Sequence, residues 1–371
     1  MKLLRAVLAA LILAAAAHAG NLPPIQTVFV ILFENHNWSD FKGSADAPFI
    51  NGMLLPMASY CEQYYNPPGL HPSEPNYLWL EAGTNFGILD DNDPADNHQN
   101  TTNHLAAQLR SAGISWKTYQ EDIPGTAVPL TAINGYAPKH NPFMFFDDMT
   151  GTNDANDAYG LAHNRPYTEL AGDLTNHSVA RYNFITPNLC DDGHDSCAPQ
   201  ENPVRQIDDW LASEVPKILN SAACSNNGAL FITWDEGEND SDGPIGMILL
   251  SPLARGGGYF NSIHYTHSSF LRTMQENFGV SPWLGDAANA TDLSDLFVQI
   301  TIHPAGRATN GAFCMSITGV WPGQTNFVEA STDLVTWNDI STNSSSSNSF
   351  SITDNTATNH NWQFYRIRAA R

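Results

Sequence analysis

The sequence has 371 residues, a formal net charge of -22 at pH 7 and 42% hydrophobic residues. Such an acidic balance argues against nucleic acid and anionic membrane surfaces as partners, because both repel negative charge. The hydrophobic content is sufficient for one large domain with a buried core and a smaller second domain. Because the chain as a whole is acidic, an anionic substrate must be held by a bound cation or by helix-end amides.

Residues 1–19 predict a secretory signal peptide. Lys2 and Arg5 precede an apolar run that ends in the small-residue sequence Ala17-His18-Ala19. The run is too short for a stable membrane anchor, and no later segment approaches transmembrane length. We therefore expect a secreted or periplasmic protein without stable membrane insertion.

Five cysteines fit an oxidising compartment. Cys190 and Cys197 are close enough in sequence to bridge and would close a tight loop. Cys61 and Cys224 are a candidate second pair, which leaves Cys314 unpaired. A zinc site is disfavoured because the sequence has no CxxC pair.

Two strongly apolar segments, residues 27–33 and 228–234, predict strands buried on both faces. Each ends in acid: Glu34 follows the first strand, and Asp235 and Glu236 follow the second. Further helices are predicted at 77–82, 104–111, 204–220 and 268–278, and further strands at 114–119, 182–185 and 245–250. Residues 121–172 are rich in Pro, Gly, Asn and Asp and predict long excursions over the sheet edge.

This alternation of strands and helices predicts an α/β fold with a doubly wound, mostly parallel sheet, whose ligand site lies beyond the carboxyl ends of the strands. From about residue 301 helical periodicity disappears, and short strand-like runs predict a small all-β domain. We expect a main domain at 20–300 and a β-rich accessory domain at 301–371 with a structural or surface-attachment role.

Residues 71–77, HPSEPNY, place a hydroxyl where a helix is about to begin. Pro75 suits the first turn of that helix, and Gly83 ends it. Ser73 then lies at the helix N-terminus, where free N-H groups and the helix dipole favour a phosphate or sulfate. Ser73 is either a simple N-cap, as most serines before helices are, or a nucleophile.

Glu34, Asp235 and Glu236 at strand ends would repel one another if they converged unpaired. A hard divalent cation with oxygen ligands resolves this repulsion, and Asn35 can add a carbonyl oxygen. The alternative is that these acids are solvated residues in loops. The acidic residues at the ends of two strands, together with Ser73 and Asn76, favour the metal site and leave the identity of the cation open.

Six blocks carry a resemblance: ENH at 34–36, HPSEPNY at 71–77, KHNPF at 139–143, DGHD at 192–195, TWDE at 233–236 and HSSFLR at 267–272. With these blocks in order, the chain resembles the bacterial phosphoesterase family of acid phosphatases and phospholipases C, within the alkaline phosphatase-like superfamily. The block around Ser73 is also similar to the Thr-x-Pro-Asn nucleophile motif of nucleotide pyrophosphatases in the same superfamily.

The resemblance implies an alkaline phosphatase-like fold and a phosphoesterase catalytic domain at 20–300. It implies that Ser73 attacks phosphorus, that Asn76 holds a non-bridging phosphate oxygen, and that water hydrolyses the phosphoserine. It also implies a divalent metal cation held by four residues: Glu34, Asn35, Asp235 and Glu236.

Three histidines are candidates for the site. His194, between two cysteines, could protonate the leaving alcohol or contact phosphate, and Asp195 could orient it or simply cap the loop. His267 and His140 are candidate substrate-binding residues. Each is also explained as a structural or solvated histidine. Many relatives carry a histidine after the TWDE block, whereas residues 238–244 have none and predict a solvated turn.

The resulting hypothesis is a secreted metal-dependent acid phosphatase that hydrolyses small phosphomonoesters through a phosphoserine. A phospholipase C acting on phospholipid head groups is the nearest alternative, disfavoured by the absence of an evident lipid groove or basic face. Sulfatase and G-x-S-x-G esterase motifs are absent. From a different class, an inactive extracellular binding protein would use its C-terminal β-domain.

Overall fold

The computed structural model describes residues 22–238, 243–323, 325–360 and 362–369. The predicted signal peptide at 1–19, and residues 239–242 of the predicted solvated turn, lie outside these ranges. The chain divides into two compact units, Pro24–Phe297 and the residues from Val298 onward. Within the described ranges, no helix combines the length and apolar character needed to cross a bilayer.

The strands of the first unit are β1 Thr27–Phe33, β2 Ser59–Cys61, β3 Tyr64–Tyr65, β4 Trp116–Gln120, β5 Asn164–Pro166, β6 Tyr182–Thr186, β7 Gly228–Trp234, β8 Met247–Leu250, β9 Tyr259–Asn261 and β10 Tyr265–Thr266. Its α-helices are α1 Trp38–Phe41, α2 Leu55–Met57, α3 Ser73–Ala82, α4 Pro94–Asn97, α5 Leu105–Ser111, α6 Asp147–Thr150, α7 Ala158–His163, α8 Leu170–Asn176, α9 Pro203–Leu219, α10 Ala222–Ser225 and α11 His267–Phe278. Shorter turns are π-helical at Ile50–Leu54 and 3₁₀ at Pro138–His140, Pro142–Phe145, Tyr167–Glu169, Gly285–Ala288 and Ser294–Leu296.

Eight strands form one sheet in the order β5-β4-β6-β1-β7-β8-β2-β9. Strand β1 pairs in parallel with both β6 and β7. Strand β8 runs antiparallel to its two neighbours, and the remaining pairings are parallel. The predicted α/β fold with a doubly wound, mostly parallel sheet is confirmed.

The central strands are apolar because both of their faces are covered. Every residue of β7 is buried, as is every residue of β1 after Thr27. The carboxyl ends of β6, β1 and β7 lie side by side. Two main-chain hydrogen bonds join the loops that leave them: Glu34 N-H donates to Asp192 O at 2.9 Å, and Asp235 N-H donates to Phe33 O at 2.9 Å.

Residues 121–172 differ from the predicted excursions. This segment contains strand β5, helices α6 to α8 and three 3₁₀ turns, each of seven residues or fewer. An element this short completes at most about two helical turns, so hydrophobic periodicity does not identify it.

The disulfide between Cys190 and Cys197 is present, with the two Cα atoms 5.7 Å apart. The second candidate pair is wrong, because Cys61 and Cys224 are both free and buried. Cys61 lies in strand β2, where its thiol donates to the main-chain oxygen of Met247 at 3.9 Å, and Cys224 lies in helix α10. Cys314 is free, as predicted.

The strands of the second unit are β11 Thr301–Arg307, β12 Phe313–Thr318, β13 Thr325–Ser331, β14 Asn338–Ser344, β15 Ser349–Asp354 and β16 Phe364–Ala369. They form two antiparallel sheets, β11-β12-β15 and β14-β13-β16, and a short 3₁₀ turn at Thr356–Asn359 follows β15. Buried side chains that include Met315, Ile317 and Val328 make its core. The all-β prediction is confirmed, although β11 and β14 lack a sequence signal because their residues are polar and largely exposed.

The packing around β7 gives a direct stability test. Replacing Leu230, which is fully buried, with Ala should lower the free energy of unfolding of the first unit by about 2–5 kcal/mol, because a cavity remains in the sheet core. The matched control is Leu89→Ala at a side chain that is 67% exposed, where we expect a change within about 0.5 kcal/mol. Urea unfolding followed by fluorescence measures both, and equal losses would contradict the assigned core.

Candidate functional site

Acidic side chains lie together where the central strands end. Glu34 and Asp235 are fully buried, and Glu236 is nearly so. Asn35, between the first strand and its loop, has a left-handed main chain with φ of 39°. In this conformation its N-H donates to Asp235 Oδ1 at 3.0 Å. Positive φ is uncommon for a residue other than Gly, so the main chain is strained where the acids meet.

Ser73 is the first residue of helix α3 and is only 1% exposed. Its hydroxyl donates to Glu34 Oε2 at 2.8 Å. Pro72 occupies the N-cap position and the Ser73 hydroxyl binds no main-chain N-H of the first turn, so the interpretation of Ser73 as an N-cap is wrong. The helix N-terminus instead directs the hydroxyl into the acid cluster.

Two residues of the same block bind Glu236. Asn76 Nδ2 donates to Glu236 Oε2 at 3.1 Å and to Leu70 O at 2.8 Å. His71 Nδ1 lies 2.6 Å from the same carboxylate oxygen. Asn76 thus faces the acid cluster, and its contact with a phosphate oxygen stays a prediction.

His140 lies between two carboxylates. Its Nε2 is 3.3 Å from Glu34 Oε2, and its Nδ1 donates to Asp192 Oδ2 at 3.0 Å. The ring of Tyr77 stacks on the imidazole, with centroids 5.3 Å apart and planes within 9°. His140 is therefore held rigidly beside Glu34, with its Nδ1 engaged by protein.

His194 lies at the edge of the site. Its ring centroid is 5.5 Å from that of His140, its Nδ1 is 2.8 Å from Asp195 Oδ1, and its Nε2 is 3.1 Å from Lys139 Nζ. Gly193 permits this turn: its φ is 89°, and a Cβ there would lie 2.4 Å from Ile207 Cδ1. The predicted roles of His194 in proton transfer or phosphate contact stay predictions.

His267 supports the site from behind. Its Nε2 donates to the main-chain oxygen of Asp235 at 2.6 Å, and its Nδ1 lies 3.1 Å from the Tyr64 hydroxyl. Burial lowers the pKa of His267 to about 4, so the ring is neutral. Both nitrogens bind protein groups, and the predicted substrate contact stays a prediction.

The pKa values reveal an excess of negative charge. Burial acts to raise the pKa of Glu34, but the charge of His140 and its hydrogen bond lower it to about 2. Burial raises the pKa of Glu236 to about 8, and the charge of Glu34 adds to the effect. Burial and the charges of Glu34 and Glu236 hold the pKa of Asp235 well above its usual range. One imidazolium does not neutralise these carboxyls together.

A divalent cation fits this donor set. Glu34, His140 and Asp192 are buried and place one ligand atom each within 4.8 Å of one another. Asp235 Oδ2 accepts no hydrogen bond from the described residues. One terminal atom of the Asn35 side-chain amide lies 3.0 Å from Glu34 Oε2 and 3.3 Å from Glu236 Oε1. In that position the amide nitrogen donates to both carboxylates, whereas the rotated amide would offer its oxygen to a cation.

The structure therefore brings together Ser73, Asn76, His140 and all four predicted metal ligands, with His194 at the rim and His267 behind. Sequence reasoning missed Asp192, His71 and Lys139 as site residues. Each belongs to one of the six sequence blocks, so the blocks hold the signal. Their contacts depend on which loops meet at the sheet edge, and this cannot be deduced from the spacing of the blocks in the sequence.

Comparison with known proteins places this geometry in context. The sequence profile described as Phosphoesterase family matches residues 44–281. The chain is 28% identical over 279 residues to the phosphatidylinositol-3-phosphatase of Mycobacterium tuberculosis, covering 75% of this chain and 85% of that protein. It is 30% identical over 226 residues to the phosphate-repressible acid phosphatase of Penicillium chrysogenum, covering 58% of this chain and 51% of that protein. The chain thus spans about half the length of this fungal relative.

Among solved structures, a protein of the alkaline phosphatase superfamily from Vibrio parahaemolyticus is 10% identical, with a TM-score of 0.48, over 87% of this chain and 84% of that chain. The profile match covers more than half of the chain and includes Ser73, Asp235 and Glu236. The resemblance seen in the six sequence blocks is confirmed: the chain belongs to the phosphoesterase family and is a hydrolase that acts on phosphoric ester bonds.

Proposed function

We propose that the protein is a secreted, metal-dependent acid phosphatase that hydrolyses phosphomonoesters through a phosphoserine at Ser73. The observation that carries the proposal is the position of the Ser73 hydroxyl. It is buried at the N-terminus of helix α3, and it donates to Glu34 Oε2 at 2.8 Å inside the acid cluster. A hydroxyl with only a capping or packing role would not be expected to donate to a buried carboxylate of an acid cluster.

The reaction would proceed in two displacements. In the first, a bond forms between Ser73 Oγ and phosphorus while the bond to the leaving alcohol breaks. In the second, water attacks phosphorus and the bond to Ser73 Oγ breaks, which releases inorganic phosphate. The nucleophile is already held in place before the substrate binds. Less entropy is therefore lost in reaching the transition state, and the activation free energy is lower.

Glu34 is suited to orient the hydroxyl more than to remove its proton. With a pKa of about 2, its carboxylate is a weak base. A divalent cation held by Glu34, Asn35, Asp235 and Glu236 would lower the pKa of the hydroxyl and offset the charge of the phosphoryl group. His140 and Asp192, which form a group of possible ligands with Glu34, are additional candidates.

Phosphomonoesters are favoured over phospholipid diesters by the names of the relatives. The mycobacterial protein is named for a phosphoinositide monoester, and the fungal proteins are named acid phosphatases.

Export is supported by the disulfide between Cys190 and Cys197, because such bonds persist in oxidising compartments.

The nucleophile is tested by Ser73→Ala. Removing the attacking oxygen should lower kcat for p-nitrophenyl phosphate by at least about 10³-fold, while the fold is retained. The matched control is Ser213→Ala on the exposed side of helix α9, which should keep wild-type kcat. Unchanged hydrolysis in the Ser73 variant would exclude this residue as nucleophile.

Assays of the wild type define the function. Diester or phosphatidylcholine hydrolysis above monoester hydrolysis would favour a phospholipase C. No hydrolysis of any ester with Mg²⁺, Ca²⁺, Mn²⁺ or Zn²⁺ would favour an extracellular binding protein.

Metal dependence is tested by Asp235→Asn, measured as melting temperature with chelator and with each cation. In chelator the variant should be at least as stable as the wild type, because a buried carboxyl that repels its neighbours has been replaced by a neutral isostere. Cation should raise the melting temperature of the wild type, since it binds only the folded state, and should raise that of the variant much less. The control is Asp209→Asn on the exposed surface of α9, which should respond like the wild type. An equal response of all three proteins would contradict the assigned site.

A further inference from the structure

Lys139 is a cation at the rim of this acidic site to which the proposed mechanism gives no role. It lies in the 3₁₀ turn Pro138–His140, next to His140. Its side chain is 20% exposed, so a substrate can reach the ammonium group. The ammonium group forms an ion pair with Asp91, with Nζ 3.0 Å from Oδ2.

Two routes connect Lys139 to the nucleophile. On one side, Lys139 Nζ donates to Asp91 Oδ2 at 3.0 Å, and Asp91 Oδ1 accepts from Glu74 N-H at 2.9 Å, one residue after Ser73. On the other side, the neighbouring His140 lies 3.3 Å from Glu34 Oε2, the oxygen that accepts from the Ser73 hydroxyl. The ammonium is thus held beside the first turn of the helix that carries the nucleophile.

The contact between Lys139 and His194 fixes where the protons lie. Lys139 Nζ and His194 Nε2 are 3.1 Å apart. An ammonium group has three donors and no acceptor, so His194 Nε2 must accept. The imidazole proton then lies on Nδ1 and is directed to Asp195 Oδ1 at 2.8 Å. In this arrangement Lys139 supplies positive charge at the rim of the site.

Two of the three ammonium protons are used by Asp91 and His194, which leaves one N-H without an acceptor among the described residues. A phosphomonoester dianion carries one more anionic oxygen than a diester, which has an ester group in that place. Ammonium groups bind such oxygens as point charges.

We propose that Lys139 binds a terminal anionic oxygen of the substrate and thereby selects phosphomonoesters over phosphodiesters. This inference rests on the proposed function and adds the residue that sets substrate class. Asp91 and His194 act as positioning residues, since both hold the ammonium group without occupying its third N-H.

The test is Lys139→Met, which keeps the length and apolar stem of the side chain and removes its charge. Losing one charge-assisted hydrogen bond should lower kcat/KM for p-nitrophenyl phosphate by about 10- to 100-fold. The value for bis(p-nitrophenyl) phosphate should change less than about threefold. Lys139→Arg retains the charge. Its ratio of kcat/KM for the monoester to kcat/KM for the diester should therefore be closer to that of the wild type. Lys217→Met, on the exposed surface of α9, is the matched control and should leave the ratio unchanged.

An equal loss on both esters, or no loss on either, would overturn the role of Lys139 in selection. Binding of inorganic phosphate, measured as the concentration that half-maximally raises the melting temperature, tests the ammonium group without turnover. Weaker binding to the Met variant than to the Arg variant and the control supports the inference, and equal binding opposes it. If the wild type hydrolyses neither ester, the proposed function fails, and phosphate binding alone decides the role of Lys139.

Discussion

Electrostatic repulsion among buried carboxyls is the constraint on which the first unit depends. Glu34, Asp192 and Asp235 are fully buried, and Glu236 is nearly so. Moving a charged carboxylate out of water costs several kcal/mol even after relaxation, so four of them in one place require strong compensation. The fold supplies part of it through His140, which lies between Glu34 and Asp192. The pKa values of Asp235 and Glu236 are raised, which indicates that the protein groups alone do not fully compensate the charge of these two carboxyls.

The proposed cation would supply the remaining compensation for the carboxyl charge, and this favours chemistry on anions. A cation bound by these carboxyls, as proposed, would offset their negative charge and would attract an anionic substrate. The acidic surface of the chain would otherwise repel phosphate. Lys139 and the N-terminus of helix α3 add local positive potential at the same place. With the proposed cation bound, the local potential at the site would attract phosphate even though the net charge of the chain is negative.

Much of this arrangement could be predicted from sequence, because the relevant signals are local. Strands β1 and β7 are continuous apolar runs that end in acid, and a parallel sheet places such ends at one edge. The role of Ser73 could not be decided in the same way, since a cap and a nucleophile have the same local sequence. The difference is that Glu34, 39 residues away, accepts from its hydroxyl. Asp192 was missed for a similar reason: it lies in a turn between cysteines, and the pairing of β1 with β6 brings it beside Glu34, whose N-H donates to Asp192 O at 2.9 Å.

The adjacency of β6, β1 and β7 has a consequence for how such proteins diverge. Neighbouring strands are held about 4.8 Å apart by backbone hydrogen bonds, which do not depend on side-chain identity. The groups at their ends therefore keep their spacing when the surrounding sequence changes. The 3₁₀ turn Pro138–His140, which carries Lys139, lies outside the strands and is free of that restriction. If Lys139 sets substrate preference as proposed, a change in this turn could alter that preference while the groups at the strand ends stay in place.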